Sequence, residues 1–261
     1  MKDMKLQYTA ASNRGSRSEN QDNLRVGKKI PWIKPAGKYA ARGMLSSRRV
    51  QIFCVCDGVG GEELGDQAAL RALQSIDEFA SGMSGLESLE EIALQAAQTA
   101  QEAVLAFYDE QDCIGGCTLA MMVIQGDRYV VLNIGDSPVF YYNRREKEFT
   151  ELSQRHNMAW EKRRNGIEPD EQDECRLINY LGKNGFDAED MVYYVSGKLE
   201  PGDSLLACSD GVSEGFSEKG LASAMKWRRS AKGLTAHAAK KPGSDNCTAV
   251  CLTAKRGVKR E

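Results

Sequence analysis

The order of the sequence patterns predicts an α+β fold, with helices grouped together rather than alternating one by one with strands. Three observations carry this. Short β-rich runs recur near both ends of the chain and in its middle. Two long amphipathic stretches sit side by side between residues 62 and 108. The runs at 117–125, 128–134 and 138–142 are separated by short turns, which suggests antiparallel hairpins or a meander.

In chain order, a strand is expected at 6–11, then a turn-rich 12–18 and a second strand at 23–26. Residues 28–49 are basic and carry Pro31, Pro35, Gly37 and Gly43, which reads as a hairpin with a long exposed excursion. Residues 50–56 form a nearly continuous apolar run, the pattern of a strand buried on both faces. A helix over 62–79 aligns Leu64, Ala68, Ala72, Ile76 and Phe79; a second over 88–108 aligns Leu89, Ile92, Ala96, Ala100, Val104 and Phe107. After the strand block, 153–190 turns polar and charged, with helical pieces expected near 157–165 and 169–181. Strands resume at 191–196 and 204–208, helices at 217–226 and 234–240, and a last strand at 246–253. Residues 1–254 read as one domain and 255–261 as a loose basic tail.

Composition narrows the function classes. The 261 residues are 41% hydrophobic and 28% charged, with a formal net charge of −2. That lacks the basic footprint of a dedicated nucleic-acid binder and is not a disordered acidic chain. No apolar stretch approaches a membrane span, and residues 1–6 show no signal-peptide pattern. The eight cysteines include no C-x-x-C pair, and only His156 and His237 could join them. Reduced, buried thiols in a cytoplasmic protein are expected, not a zinc site.

The chemistry lies in aspartates. Asp57, Asp136 and Asp210 each end an apolar run, Asp245 precedes the last strand, and Asp22 follows Asn20-Gln21. Any one Asp-Gly after a strand is an ordinary turn. Five together would converge where the sheets open, and clustered carboxylates repel unless a cation lies among them. Oxygen-only donors suit Mg²⁺ or Mn²⁺. Arg17, five residues before Asp22, could hold a phosphate bidentately.

These residues resemble a family. Arg17 with Asn20-Gln21-Asp22, the run Phe53 to Asp57-Gly58-Val59-Gly60-Gly61, and Gly116-Cys117-Thr118 with Gly135-Asp136-Ser137 are similar to successive motifs of the metal-dependent serine/threonine protein phosphatases of type 2C. So are Leu205 to Ser209-Asp210-Gly211-Val212 and Asp245-Asn246-Cys247-Thr248, in the same order. The short bacterial members of this PPM family look closest.

The resemblance implies a four-layer α-β-β-α sandwich of two antiparallel sheets flanked by helix pairs, with a flap at about 156–190. It implies a phosphoserine/phosphothreonine protein phosphatase using two Mn²⁺ or Mg²⁺ ions, with a third in bacterial relatives. Asp57 would bridge the two ions and Gly58 would supply a carbonyl. Asp210 and Asp245 would complete the first ion, and Asp22 would serve the second. Asp136 with Asp210 would hold the third. A metal-bridging hydroxide would attack phosphorus in one step while Arg17 binds the phosphate. Phosphorylated Ser/Thr proteins and a cognate kinase with its targets are the implied partners, with no nucleic acid and no membrane, and the protein a monomer.

This chain departs from the pattern at three places. Val59 stands where many eukaryotic relatives carry a candidate general-acid histidine. Pro138 replaces the arginine of G-D-S-R. Leu152 to Arg155-His156 replaces L-T-x-D-H, with arginine for aspartate. His156 could assist from the flap edge or be structural, and His237 reads as structural. Two other roles compete: a regulatory interaction module on the same fold, and an unrelated Mg²⁺-dependent hydrolase such as a nuclease.

Overall fold

The apolar runs pair into two antiparallel sheets whose inner faces meet. The computed structural model describes residues 4–31, 33, 36–59, 64–85, 87–185 and 187–257. Gly60 and Gly61 of the second motif, the first two residues of the helix expected from 62, and residues 258–261 of the expected tail lie outside the described residues. Strands β1 (Met4–Asn13), β2 (Asn23–Val26), β3 (Lys38–Ser46) and β4 (Gln51–Cys56) come first. Helices α1 (Gly65–Gly82) and α2 (Leu89–Gln111) follow. Next come two hairpins rather than one meander, β5 (Leu119–Gln125) with β6 (Arg128–Ile134) in one sheet and β7 (Val139–Asn143) with β8 (Glu148–Glu151) in the other. The polar insert contains α3 (Met158–Arg164) and the single turns α4 (Glu171–Glu174) and α5 (Ala188–Met191). The chain continues through β9 (Tyr193–Lys198), β10 (Ser204–Cys208), the turn α6 (Asp210–Ser213), α7 (Glu218–Lys226), α8 (Ala231–Ala238) and β11 (Cys247–Arg256).

One sheet has the order β3-β1-β11-β10-β7-β8, the other β2-β4-β5-β6-β9. The side-chain alternation of β5 shows how the layers form. Ala120, Met122 and Ile124 face the second sheet, meeting Leu24, Phe53, Leu205, Val250 and Leu252. Met121 and Val123 face outward onto α1 and α2, among Ala72, Ile76, Ala96 and Ala100. Helices α7 and α8 cover the other sheet through Leu221, Met225 and Leu234 on Leu206 and Cys208. A strand between a sheet and a helix pair is apolar on both faces, which is why 50–56 and 117–125 read as continuous apolar runs. The expected four-layer sandwich is the observed one.

Local chemistry sets several boundaries. Ser88 opens α2 with a capping box: its hydroxyl accepts from the Glu91 amide, and the Glu91 carboxylate accepts from the Ser88 amide. Asn157 and Ser217 cap α3 and α7 in the simpler way. The excursion read over 28–49 contains a nine-residue strand instead: β3 pairs with β1 from Lys38 to Ser46 along the sheet edge. Its exposed face mixes Lys38 and Arg42 with Ala40 and Met44, which hid the strand. The helix expected over 169–181 is only the turn α4. Beyond it the chain extends, so that Ile178 N–H reaches the His156 carbonyl and Leu181 pairs with Cys117. Lys255 and Arg256 finish β11 and pair with Lys5 and Met4, so they are sheet rather than tail.

One buried cation escaped the sequence reading. Arg25 is 2% exposed, donates to the Ile52 carbonyl at 2.9 Å, and pairs with Asp77 of α1 at 2.8 Å. It ties the β2–β4 edge to the helix layer. Arg25→Ala leaves a cavity, an unpaired carbonyl and a lone carboxylate. It should lower the unfolding free energy by about 3–5 kcal/mol in a denaturant titration. An unchanged midpoint would mean the pair is not structural.

Candidate metal-dependent active site

Both sheets end at the same cleft, and each contributes carboxylates to it. Asp22 immediately precedes β2, Asp57 follows β4 and Asp136 lies just past β6. Asp210 follows β10 and Asp245 precedes β11. Arg17, Asp57, Gly58, Asp136, Asp210 and Asp245 all line a cavity of about 590 Å³. Asp22 lies behind Asp57, at 3% exposure.

Each carboxylate is held from its own backbone. The Asp57 amide donates to the Thr118 hydroxyl at 3.0 Å, and the Thr118 amide returns to the Asp57 carbonyl at 2.8 Å. The Gly58 amide reaches the Gln21 carbonyl. A side chain at Gly58 would collide with the Gly65 backbone at 2.6 Å, so glycine is what lets the loop lie against the start of α1. Gly135 turns the chain into Asp136 with a φ of 96°, a left-handed conformation that favours glycine.

Asp22 receives the Ser209 hydroxyl at 2.8 Å, and Ser209 is itself fixed by the Thr248 amide at 2.9 Å. Asn246 is a clasp. Its amide nitrogen donates to the carbonyls of Arg14 and Glu19, and its oxygen accepts from the Gln21 amide. That closes the loop carrying Arg17 against β11. Ser209, Thr118 and Asn246 lie inside the motifs that mark the aspartates, but their roles depend on contacts far apart in sequence.

The charges oppose one another. Burial first, then the neighbouring carboxylates Asp22 and Asp210, pushes Asp57 well above the usual carboxylate range. Burial raises Asp22 to about 7 and, with repulsion from Asp210, raises Asp136 to about 7. Asp210 is raised by burial and by Asp245. Asp57 sits against both Asp22 and Asp210, so the three form a row. Asp22 Oδ1 and Asp210 Oδ1 are buried without a hydrogen-bond partner. Among the described residues no three acidic, cysteine or histidine side chains close around one point as a ready cage. A row shared between ions, with water and a backbone carbonyl completing each shell, needs no such cage. The unpartnered carboxylate oxygens and the all-oxygen donor set therefore fit hard divalent cations.

Arg17 is 57% exposed at the cleft mouth and donates to Asp245 Oδ2 at 2.6 Å. Asp245 Oδ1 accepts the Asn246 amide. Asp245 is thus fully paired, unlike Asp22 and Asp210. Val59, Ile114, Leu177 and Tyr180 also line the cavity, with Cys175 from the insert.

His156 is not at the flap edge beside the cleft. It is 3% exposed, and its Nδ1 accepts the Gly135 amide at 3.2 Å, while burial holds it down to about 4. It is a neutral structural group supporting the turn before Asp136. His237 packs on Phe216 and does not line the cavity, as a structural histidine.

A two-sheet sandwich with a row of buried carboxylates at its open end is an arrangement suited to a metal-dependent hydrolase. The family model described as protein phosphatase 2C matches residues 41–243. The chain belongs to the protein phosphatase 2C family and is a metal-dependent serine/threonine protein phosphatase.

Comparison with curated proteins finds no match. Solved structures agree in fold. The serine/threonine phosphatase PstP/Ppp of Mycobacterium tuberculosis is 22% identical with a TM-score of 0.74, over 96% of this chain and 99% of that one. A structure of the PstP catalytic domain in complex with two manganese ions is 21% identical with a TM-score of 0.74, over 96% and 99%. Stp1 of Staphylococcus aureus is 16% identical with a TM-score of 0.77, over 94% of each chain.

Proposed function

We propose that Asp22, Asp57, Asp210 and Asp245, with the Gly58 carbonyl, hold two Mn²⁺ or Mg²⁺ ions, and that Arg17 receives the phosphate of a phosphoserine or phosphothreonine protein. The observation that carries this is the pair of buried, unpartnered oxygens, Asp22 Oδ1 and Asp210 Oδ1, flanking Asp57. When bound, the cations supply an activated water and neutralise phosphate charge. The chain does the rest. Asp57 is the shared member of the row. Arg17 exchanges one acidic partner, Asp245, for the phosphate oxygens. The Asn246 clasp and the Ser209 hydroxyl keep the two sheet ends in register. Asp136 flanks the row beside Asp210, where the resemblance puts a third ion. His156 is buried away from the cleft, so it is not placed to give the leaving oxygen its proton.

The substrates we infer are the targets of a cognate serine/threonine kinase, and the chain acts as a monomer. No described helix is long and apolar enough to cross a membrane. The cysteines are all free, which favours a reducing, cytoplasmic setting.

Phosphate release from a phosphothreonine peptide tests the reading. It should require Mn²⁺ or Mg²⁺, stop with a chelator, and show a KM raised about tenfold or more in Arg17→Ala, which loses a charge-assisted contact. Folded, Mn²⁺-loaded protein that releases no phosphate would overturn it.

A further inference from the structure

The outer face of the sheet β3-β1-β11-β10-β7-β8 is only partly covered. Helix α8 lies over β1 as far as Thr9, whose hydroxyl accepts the Ala231 amide at 2.9 Å. Leu6, Leu45, Leu252 and Ala254 point into the core between the sheets, so strand alternation puts Lys5, Gln7, Arg42, Met44 and Lys255 on the outer face. Gln7 and Arg42 are exposed there, and Met44 is 56% exposed. The charge on this face has one sign. Strands β1, β3 and β11 carry five basic residues and no acidic one. Lys5 and Lys255 stand directly opposite each other in the register, a pairing of like charges that destabilises a sheet. Arg228 reaches the same place from the turn after α7. With Arg229 and Lys255 it lines a cavity of about 220 Å³ that also takes in Gln7, Ser204 and Thr253 and no carboxylate. The Arg228 backbone is left-handed, with a φ of 53°, where glycine would be less strained. Among the described residues no carboxylate lies within ion-pair distance of Lys5, Arg42, Arg228 or Lys255. Burial, then the charge of Arg228, lowers the Lys255 ammonium from its ordinary value. Next to Arg228, Trp227 is 75% exposed.

We propose that this open face, from Lys5 and Lys255 to Arg228, is a docking surface for an acidic segment of a partner protein. Carboxylates laid between Lys5, Lys255 and Arg228 would relieve a repulsion that the chain itself leaves standing. A protein segment fits better than a flat membrane surface, because Lys255 and the polar groups beside it line a cavity that a side chain can enter. Met44 and Trp227 offer apolar contacts to the residues between the acids. The surface lies at the other end of β11 from the carboxylate row. From Cys247 to Lys255 the strand spans about 27 Å, so a docked segment leaves the cleft open. A phosphoprotein carrying such a segment would be held within reach of the cleft at raised local concentration. Docking here does not depend on what the cleft binds.

Fluorescence anisotropy of a labelled dodecapeptide of glutamate and aspartate, titrated with the full chain, tests this. EDTA in the buffer keeps the peptide from binding through metal in the cleft. The peptide should bind wild type, more weakly as salt rises, and a glutamine and asparagine peptide of the same length should not. Lys255→Glu and Arg228→Glu should each weaken binding by about tenfold or more. Lys219→Glu makes the same charge change on an exposed residue of α7 and should bind as wild type does. Lys5→Glu should weaken binding as much as Lys255→Glu, yet raise the melting temperature by about 2 °C, because it turns a like-charge pair into an opposite one. A lysine serving the fold alone would lose stability instead. Melting curves show that each variant is folded, and Lys5→Glu decides the matter should the others not fold. No binding by wild type at low salt, or equal affinity in wild type, Lys5→Glu and Lys255→Glu, would overturn the proposal. So would tighter binding to phosphatidylserine vesicles or to duplex DNA than to the peptide.

Discussion

Asp57→Asn is expected to lower phosphopeptide turnover by about a thousandfold or more while raising the melting temperature of the metal-free protein. The two effects share a cause. Asp57 is the middle of the row, pressed between Asp22 and Asp210 and pushed far above the usual carboxylate range by burial and by their charges. An amide keeps its size and its place against Thr118 but brings no charge. On the proposed assignment Asp57 would be a ligand of the cations, so its loss would weaken their hold and the electrostatic stabilisation of the transferring phosphate. Without metal, the same change removes a buried repulsion. For a chain this long, each kcal/mol relieved raises the melting temperature by about 2–4 °C. Calorimetry and peptide kinetics on one preparation check both halves. Turnover within tenfold of wild type would sink the assignment of Asp57. Lost turnover with a lower melting temperature would mean that the substitution damages the fold rather than the chemistry.

How far the sequence alone reaches depends on where each signal resides. Strands β2, β6 and β10 are read to the residue; β6 and β10 are largely apolar runs bounded by polar or glycine turns. The aspartates are legible for the same reason: Asp57 and Asp210 interrupt apolar runs abruptly and are followed by glycine. The edge strands β3 and β8 of the larger sheet are not. β3 exposes Lys38 and Arg42 beside Ala40 and Met44 and turns only Tyr39, Ala41, Gly43 and Leu45 inward, and β8 is four residues long with Phe149 alone on the core, so neither shows a strong apolar pattern. Arg25 looks like any surface arginine until α1 brings Asp77 to it across 52 residues. Ser209 meets Asp22 across 187 residues, and no local pattern encodes that contact. For His156 the sequence left two roles open, and the structure gives it the structural one. Its position beside the insert suggested the cleft, whereas the Gly135 amide draws its ring inward. Local chemistry thus marks the groups that react, and the groups that aim them emerge only from strand pairing.

Removing the metals should make stability fall as pH rises, the reverse of ordinary acid denaturation. Asp22 and Asp136 titrate near 4 in an unfolded chain and at about 7 in the fold. Between those values the folded protein holds protons that the unfolded chain has released. Their contribution to stability is complete below about pH 4 and is lost as pH rises through about 7. Asp57 and Asp210, also raised, act in the same direction. His156 opposes them: held down to about 4 by burial, it contributes stability that is present near neutrality and lost on acidification. It is one group against four. Chelated wild-type protein should therefore melt several degrees lower at pH 7.5 than at pH 5.5. Mn²⁺ should reverse the slope, because cations bind the deprotonated row and stabilise the fold in proportion to the logarithm of their concentration. Asp22→Asn should flatten the metal-free profile, since its amide has no proton to lose. A metal-free melting temperature that is level or rises across that interval would show that the row does not repel itself. The unpartnered oxygens of Asp22 and Asp210 would then need an explanation other than a missing cation.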